Sequence, residues 1–272
     1  MERLEQFGAR LLRSRTVWLI AGALCVFALG NLARRGLARD PRFLAKPVFA
    51  GARVPAWSGR EVLDPVLLRL EAMGPISLLD LDFEQRVRAT VAGAPHVAAV
   101  TKVRRLWPNR YAIDLVFHRP VAVVERDGVR YPVTHDGVVL PAEPYAHAAA
   151  RLFPIRGIFG PMPPVGERWR NRALHAGIAT LRQISPYLDE LRPLRIVAID
   201  VSQAHDARLG VVLRTAHGVP IRWGRPLATV GENSVGQKIR FLRAAMADIK
   251  RLEGYEIDPR WDDPYVRRSN ES

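Results

Sequence analysis

The stretch from Val97 to Val124, VAAVTKVRRLWPNRYAIDLVFHRPVAVV, constrains the fold more than any other part of the chain. Tyr111, Ile113, Leu115 and Phe117 recur at every second position, with Ala112, Asp114 and His118 on the alternate side, the signature of a half-buried strand. Val97 to Leu106 is a second run rich in β-branched residues. Between the two, Trp107-Pro108-Asn109-Arg110 carries Pro and Asn, whose fixed φ and tolerance of the left-handed region suit a tight reversal. A hairpin of this kind cannot bury its apolar face alone, so something amphipathic must lie across it, and an α+β module follows.

The chain upstream supplies the cover. A short first strand is predicted within Phe43 to Arg53, then a helix from about Glu61 to Met73 with Leu63, Val66, Leu67, Leu70 and Met73 as its apolar stripe. A second helix starts at Asp82, where Asp at the N-cap and Gln85 three residues on form a capping-box pattern. Phe83, Val87 and Val91 share its inner face, and Gly93 and Pro95 stop it. The predicted order is strand, helix, helix and hairpin, ending near Val124.

From Thr16 to Ala33 the chain runs without a charge between Arg13 and Arg15 on one side and Arg34 and Arg35 on the other, which is long enough for one membrane span. Only a helix satisfies its own backbone in hydrocarbon. A cleaved signal peptide, with Ala28-Leu29-Gly30 as its small-residue site, is the competing reading. The length of the apolar run and its basic exit favour a retained anchor. Basic residues flank both ends, so local charge does not orient the span. A long domain translocates largely regardless of charge, and the expectation is a short cytoplasmic tail with the main domains outside.

The single cysteine, Cys25, lies in this span, so the rest of the chain has no thiol for a disulfide, a zinc site or a nucleophile. The net charge of +14 invites a nucleic-acid reading, yet the first 53 residues hold ten basic and three acidic side chains, half of that excess, where it suits anionic headgroups. The remainder is spread without interleaved aromatics, and no nucleic-acid partner is expected.

The hairpin and its neighbours resemble the FtsQ/DivIB family of bacterial division proteins, whose first extracytoplasmic domain is a POTRA domain with this β-α-α-β-β order. The family's pattern is met as Leu79-Asp80-Leu81, Pro95-His96-Val97, Arg105-Leu106-Trp107-Pro108 and Arg119-Pro120-Val121-Ala122, with His118 where the family commonly has an acid. The resemblance continues through Val133 to Leu140 with its Asp136-Gly137 turn, and through the Phe153 to Gly157 step, read as a loop. It then takes in a helix marked by Leu174, Ile178 and Leu181 that ends near Pro186. Strands follow at Arg195 to Val201, Leu209 to Arg214 and Val219 to Trp223, as an antiparallel meander. A helix striped by Ile239, Leu242, Met246 and Ile249 and a strand from Tyr255 to Trp261 close the series.

The resemblance therefore implies an α+β chain with a cytoplasmic tail at 1–15, a transmembrane helix at 16–33, a linker at 34–42, a POTRA domain at 43–124, a mainly antiparallel β-domain with flanking helices at 125–262 and a tail at 263–272. It implies an inner-membrane scaffold, found at the septum during division, that holds FtsB- and FtsL-like bitopic proteins and other division components and links them to septal wall synthesis. Contact is expected by edge pairing along the last strand. The positions that align with that edge are Arg260, Trp261 and Asp262, with Tyr265 and Val266 continuing it, and Pro264 stands where the family often has Gly. Trp107, with Arg105 beside it, marks a POTRA turn or surface; Trp107 and Trp223 are each read either as a partner anchor or as a lid on the chain's own core.

No catalytic site, cofactor, metal or small-molecule substrate is expected. Gly231 to Lys238 only loosely matches a phosphate loop: its lysine is one position late and Ile239 replaces the magnesium-binding hydroxyl, so a helix-start loop is the better reading. His135-Asp136 and His205-Asp206 sit beside turn signals, the seven histidines lack ligand spacing, and Asp80 and Asp82 have no further partner nearby in sequence. Two rival classes are an envelope assembly or secretion factor built on POTRA domains and a membrane-anchored wall-active enzyme. The first lacks enough chain for a barrel and the second lacks a base and nucleophile.

Overall fold

A computed structural model of the chain describes residues 15–50, 54–77, 79–106, 109–206, 209–226, 231–247, 251, 254–262 and 265–268. The chain divides into two compact units, one drawn from Met1–Ala52, Leu67–Val91 and Val100–Asp114, the other from Arg53–Val66, Ala92–Ala99 and Leu115–Ser272.

In chain order the first elements are α1 (Arg15–Leu37), β1 (Leu44–Ala45), β2 (Val48–Ala50), α2 (Asp64–Glu71), β3 (Ile76–Ser77), α3 (Phe83–Ala92), β4 (Val97–Leu106) and β5 (Arg110–Phe117). The segment Trp18–Leu37 of α1 is long and apolar enough to cross a membrane, and none of it is buried in the protein. This is what a lipid-facing helix requires, since its side chains need no protein partner. The first unit builds its core around Tyr111, whose ring lies 4.3 Å from Phe83 and 6.1 Å from Phe49 between centroids. β2 runs parallel to β5 in register Phe49↔Tyr111, within a sheet ordered β2-β5-β4, and β1 pairs antiparallel with β3. The predicted stripe of α3 is buried as Phe83, Val87 and Val91. On α2 and the turn before it Leu63, Val66 and Leu70 are buried, but Leu67 is exposed. The face predicted for β5 is buried at Tyr111, Ile113 and Phe117 and half-buried at Leu115.

The second unit holds an eight-stranded sheet. Its strands are β6 (Pro120–Arg126), β7 (Val129–Thr134), β8 (Pro154–Arg156), β9 (Ile196–Asp200), β10 (Val211–Thr215), β11 (Pro220–Gly224), β12 (Tyr255–Asp258) and β13 (Tyr265–Arg268), in the spatial order β13-β12-β11-β10-β9-β8-β6-β7. Its helices are α4 (Ala146–Ala149), α5 (Arg172–Ile184) and α6 (Val235–Ala245). The meander β9-β10-β11 is antiparallel as predicted. Three other neighbours, β6 with β8, β8 with β9 and β11 with β12, are parallel, so the sheet is mixed. Each parallel step needs a crossover that a tight turn cannot make, and each contains a helix: α4 before β8, α5 before β9, α6 before β12. The segment read as a loop at Phe153 to Gly157 contains β8, an inner strand whose Ile155 is fully buried.

Helix α5 starts where Asn171 accepts hydrogen bonds from the N–H groups of Ala173 (2.9 Å) and Leu174 (3.1 Å). It lies so close to the sheet that a Cβ on Gly177 would stand 2.8 Å from Ile155 Cγ2, so only glycine permits this approach. Leu174, Ile178, Leu181 and Ile184 join Ile155, Ile199, Leu213, Ile221, Trp223 and Ile257 in one core. Tyr145, stacked on Trp57 at 6.0 Å, donates its buried hydroxyl toward the carbonyls of His118 (2.8 Å) and His96 (3.3 Å), and burial pushes that hydroxyl's pKa well up.

Candidate partner-docking edge

The sheet ends at β13. Tyr265–Arg268 lies antiparallel on β12 with Ile257 opposite Val266 and Asp258 opposite Tyr265, so the chain itself covers the outer side of β12. The free border is therefore one strand beyond the Tyr255 to Trp261 strand read from sequence, and it is formed by four residues of the segment assigned to a tail, of which Tyr265 and Val266 were named as continuing the edge. The outward main-chain groups of β13 meet no neighbouring strand among the described residues.

β12 is held by its two neighbouring strands and by Ile257 in the core, and it also carries two buried ion pairs. Glu256 and Asp258 occupy alternate positions on β12, both buried. Glu256 pairs with Arg222 of β11, and Asp258 receives Arg260 in a bidentate fork, Nε to Oδ1 at 2.8 Å and Nη2 to Oδ2 at 2.6 Å. Such forks are the strong form of a charge-assisted hydrogen bond. The bend after β12 is clamped from the loop before α6: the Asn233 amide donates to the carbonyls of Pro259 (3.2 Å) and Trp261 (2.5 Å), and its N–H donates to that of Arg260 (2.6 Å). That loop is the one that loosely matched a phosphate site. Ser234 and Gln237 form its capping box, and the buried Lys238 donates to Trp223 O (2.6 Å) and Glu232 (2.8 Å), so its charge is taken up internally.

The site residues named from sequence separate accordingly. Arg260 is 4% exposed and turned onto Asp258, which makes it a support of the edge. Its guanidinium also lies 5.5 Å from the Trp261 ring centroid, propping an indole that is 41% exposed. Asp262 is exposed, and Val266 is 38% exposed on the edge strand; Tyr265 is in that strand, and its side chain lies outside the described residues. Arg105 is half-buried on β4, whereas Trp107 lies outside the described residues. Trp223 is fully buried, with its indole N–H on Gln183 (2.8 Å), and is a core residue. Sequence reasoning missed Asn233, Arg222 and Glu256. The signal available for the last was the pair of acids two apart on a strand otherwise headed for the core.

Among the described residues no three His, Cys, Asp or Glu side chains gather as metal ligands. His135 and Asp136 meet at 3.2 Å on an exposed turn, where Arg168 also reaches Asp136 at 3.3 Å. Asp80 accepts from the Asp82 N–H at 2.9 Å and pairs with Arg86, the work of a helix start.

Taken together, the described residues contain one apolar N-terminal helix able to span a membrane and a β-rich body whose large sheet ends in a strand that no other described residue covers. No family model matches it. Over 207 residues, 74% of this chain and 71% of the relative, it is 24% identical to the cell division protein FtsQ of Streptomyces bingchenggensis (strain BCW-1). That distant similarity is consistent with an FtsQ-like protein and hints at a cell-division role.

Proposed function

We propose that this protein is an FtsQ-like, single-pass scaffold of the division machinery, with its N-terminus in the cytoplasm and its main domains outside the inner membrane. It binds other division membrane proteins, among them FtsB- and FtsL-like bitopic proteins, and links them to septal peptidoglycan synthesis without breaking bonds itself. The observation that carries this reading is the border of β13, uncovered among the described residues, where a partner segment can add as a ninth strand. Main-chain hydrogen bonds along that border supply affinity, and the exposed Trp261, Asp262 and Val266 supply side-chain selectivity. The similarity to a cell division protein supports the pathway.

The test is localisation combined with depletion. A fluorescent fusion at the N-terminus forms a midcell band during septation, depletion gives filamentous cells with failed septa, and Trp261→Ala reduces co-purification of FtsB- and FtsL-like proteins. Uniform membrane fluorescence with normal division on depletion would overturn the proposal.

A further inference from the structure

Toward the other end of the same sheet lies a surface that the edge does not use. A groove of about 1030 Å³ opens between the start of β6, the Arg151 to Phe153 segment and α5, and a second cavity of about 350 Å³ adjoins it, sharing Phe153 and Leu188. Together they form a trench. Its floor is apolar, with Val121, Leu152, Phe153, Ile178, Leu181 and Leu188. Along its length stand Arg119, Arg151, Arg182, Arg192 and Arg195, and among the described residues no carboxylate lines either cavity. Arg192 reaches Asp189 at 3.6 Å, while Arg119, Arg151, Arg182 and Arg195 have no ion-pair partner among the described residues.

We propose that this trench receives an acidic amphipathic helix from a partner protein. The wall strands β6, through Pro120 and Val121, and β9, through Ile196 and Val197, are inner strands with neighbours on both sides, so they offer no open N–H or C=O row for strand addition. An occupant must satisfy its own backbone, which a helix does. The floor contributed by α5 and the turn after it steps through Ile178, Leu181, Ser185 and Leu188, one helical face, against which apolar residues at the same spacing interdigitate. The positive charge is spread over both cavities; a lipid offers one headgroup at one end, whereas a helix carries carboxylates along its length. A second copy of this chain brings the same net charge of +14 and is repelled.

The probe is a fluorescein-labelled helix of about 15 residues, or ~22 Å, built from Leu on one face and Glu on the other. It is titrated by anisotropy against the full chain in phosphatidylcholine nanodiscs. The Leu/Glu helix binds, and a scrambled peptide of equal charge binds about tenfold more weakly. The exposed pair Arg151→Glu and Arg182→Glu lowers affinity for the Leu/Glu helix about tenfold and gains binding of a Leu/Lys helix, a gain that an unfolded variant does not show. Equal binding of the scrambled peptide, or unchanged affinity in the charge-reversed variant, overturns the proposal. So does displacement of the helix by phosphatidylglycerol in the nanodisc that depends on the same two arginines, which would assign the trench to lipid.

Discussion

Replacing Arg260 separates a support of the docking edge from a contact with partners. Its guanidinium forks onto Asp258, and the two side chains are 5% and 0% exposed. Arg260→Ala removes that fork from a carboxylate that has no access to water, and breaking a buried pair from one side costs about 3–5 kcal/mol. For a folding unit of 150–250 residues, where each kcal/mol moves Tm by about 2–4 °C, the expected fall is roughly 6–20 °C. Arg260→Lys keeps a charge but loses the planar fork, and falls between the wild type and Ala. The assay is thermal unfolding of the detergent-solubilised full chain followed by tryptophan fluorescence, to which the fully buried Trp223 contributes. Partner co-purification measured below the transition, where the variant is still folded, should be largely retained. An Arg260→Ala protein that melts within about 2 °C of wild type and yet loses its partners would refute the reasoning, because the side chain would then act on the partner directly.

The remaining expectations concern the edge, a buried hydroxyl and acid stability. Main-chain groups alternate between the two sides of a strand, so of Val266→Pro and Arg267→Pro one removes a donor facing β12 and the other a donor facing outward. The variant that keeps its Tm should lose partner binding, and retention of the partner by both variants counts against docking on β13. Tyr145→Phe strips the donor from the carbonyl of His118, whereas the carbonyl of His96 keeps the His118 N–H at 3.0 Å, and should cost about 1–3 kcal/mol in urea unfolding; a change near zero would mean the His118 carbonyl is satisfied otherwise. Burial raises the pKa of Asp200, but hydrogen bonds from Ser202 and the Arg214 guanidinium outweigh it and hold the carboxyl below its ordinary value. The stabilisation is present above the unfolded carboxylate value of about 3.9 and is lost as pH falls through the lower folded value. Asp200→Asn should therefore flatten the urea midpoint below about pH 4, and an unchanged acid slope would exclude Asp200 as its source.

The elements legible in the sequence are those whose burial pattern repeats within one segment. The β5 face at Tyr111, Ile113 and Phe117, the α3 stripe at Phe83, Val87 and Val91, the α5 stripe with Leu174, Ile178 and Leu181, and the strands β9 to β11 all lie where period and turn residues place them. β8 is three residues long, too short to display a period, and is a strand because the crossover through α5 puts it between β6 and β9. β13 was legible only in part: Tyr265 and Val266 read as a continuation of the edge within a tail, and that Tyr265–Arg268 turns back as a separate strand depends on β12 being there to pair with it.

The candidate site divides along the same line. Trp261 and Val266 were legible as exposed candidates, but Arg260 looks like any surface arginine until Asp258 is buried against it. The five arginines of the trench are scattered from position 119 to position 195, and no window of the sequence joins them. By itself the sequence determined the membrane-length helix, the local strands and helices, and the absence of any thiol beyond Cys25, because each depends only on neighbours along the chain. Tertiary structure decided which strand is last, which charges are buried and where unpaired positive charge collects. Those properties belong to contacts between segments far apart in sequence, and no local period encodes them.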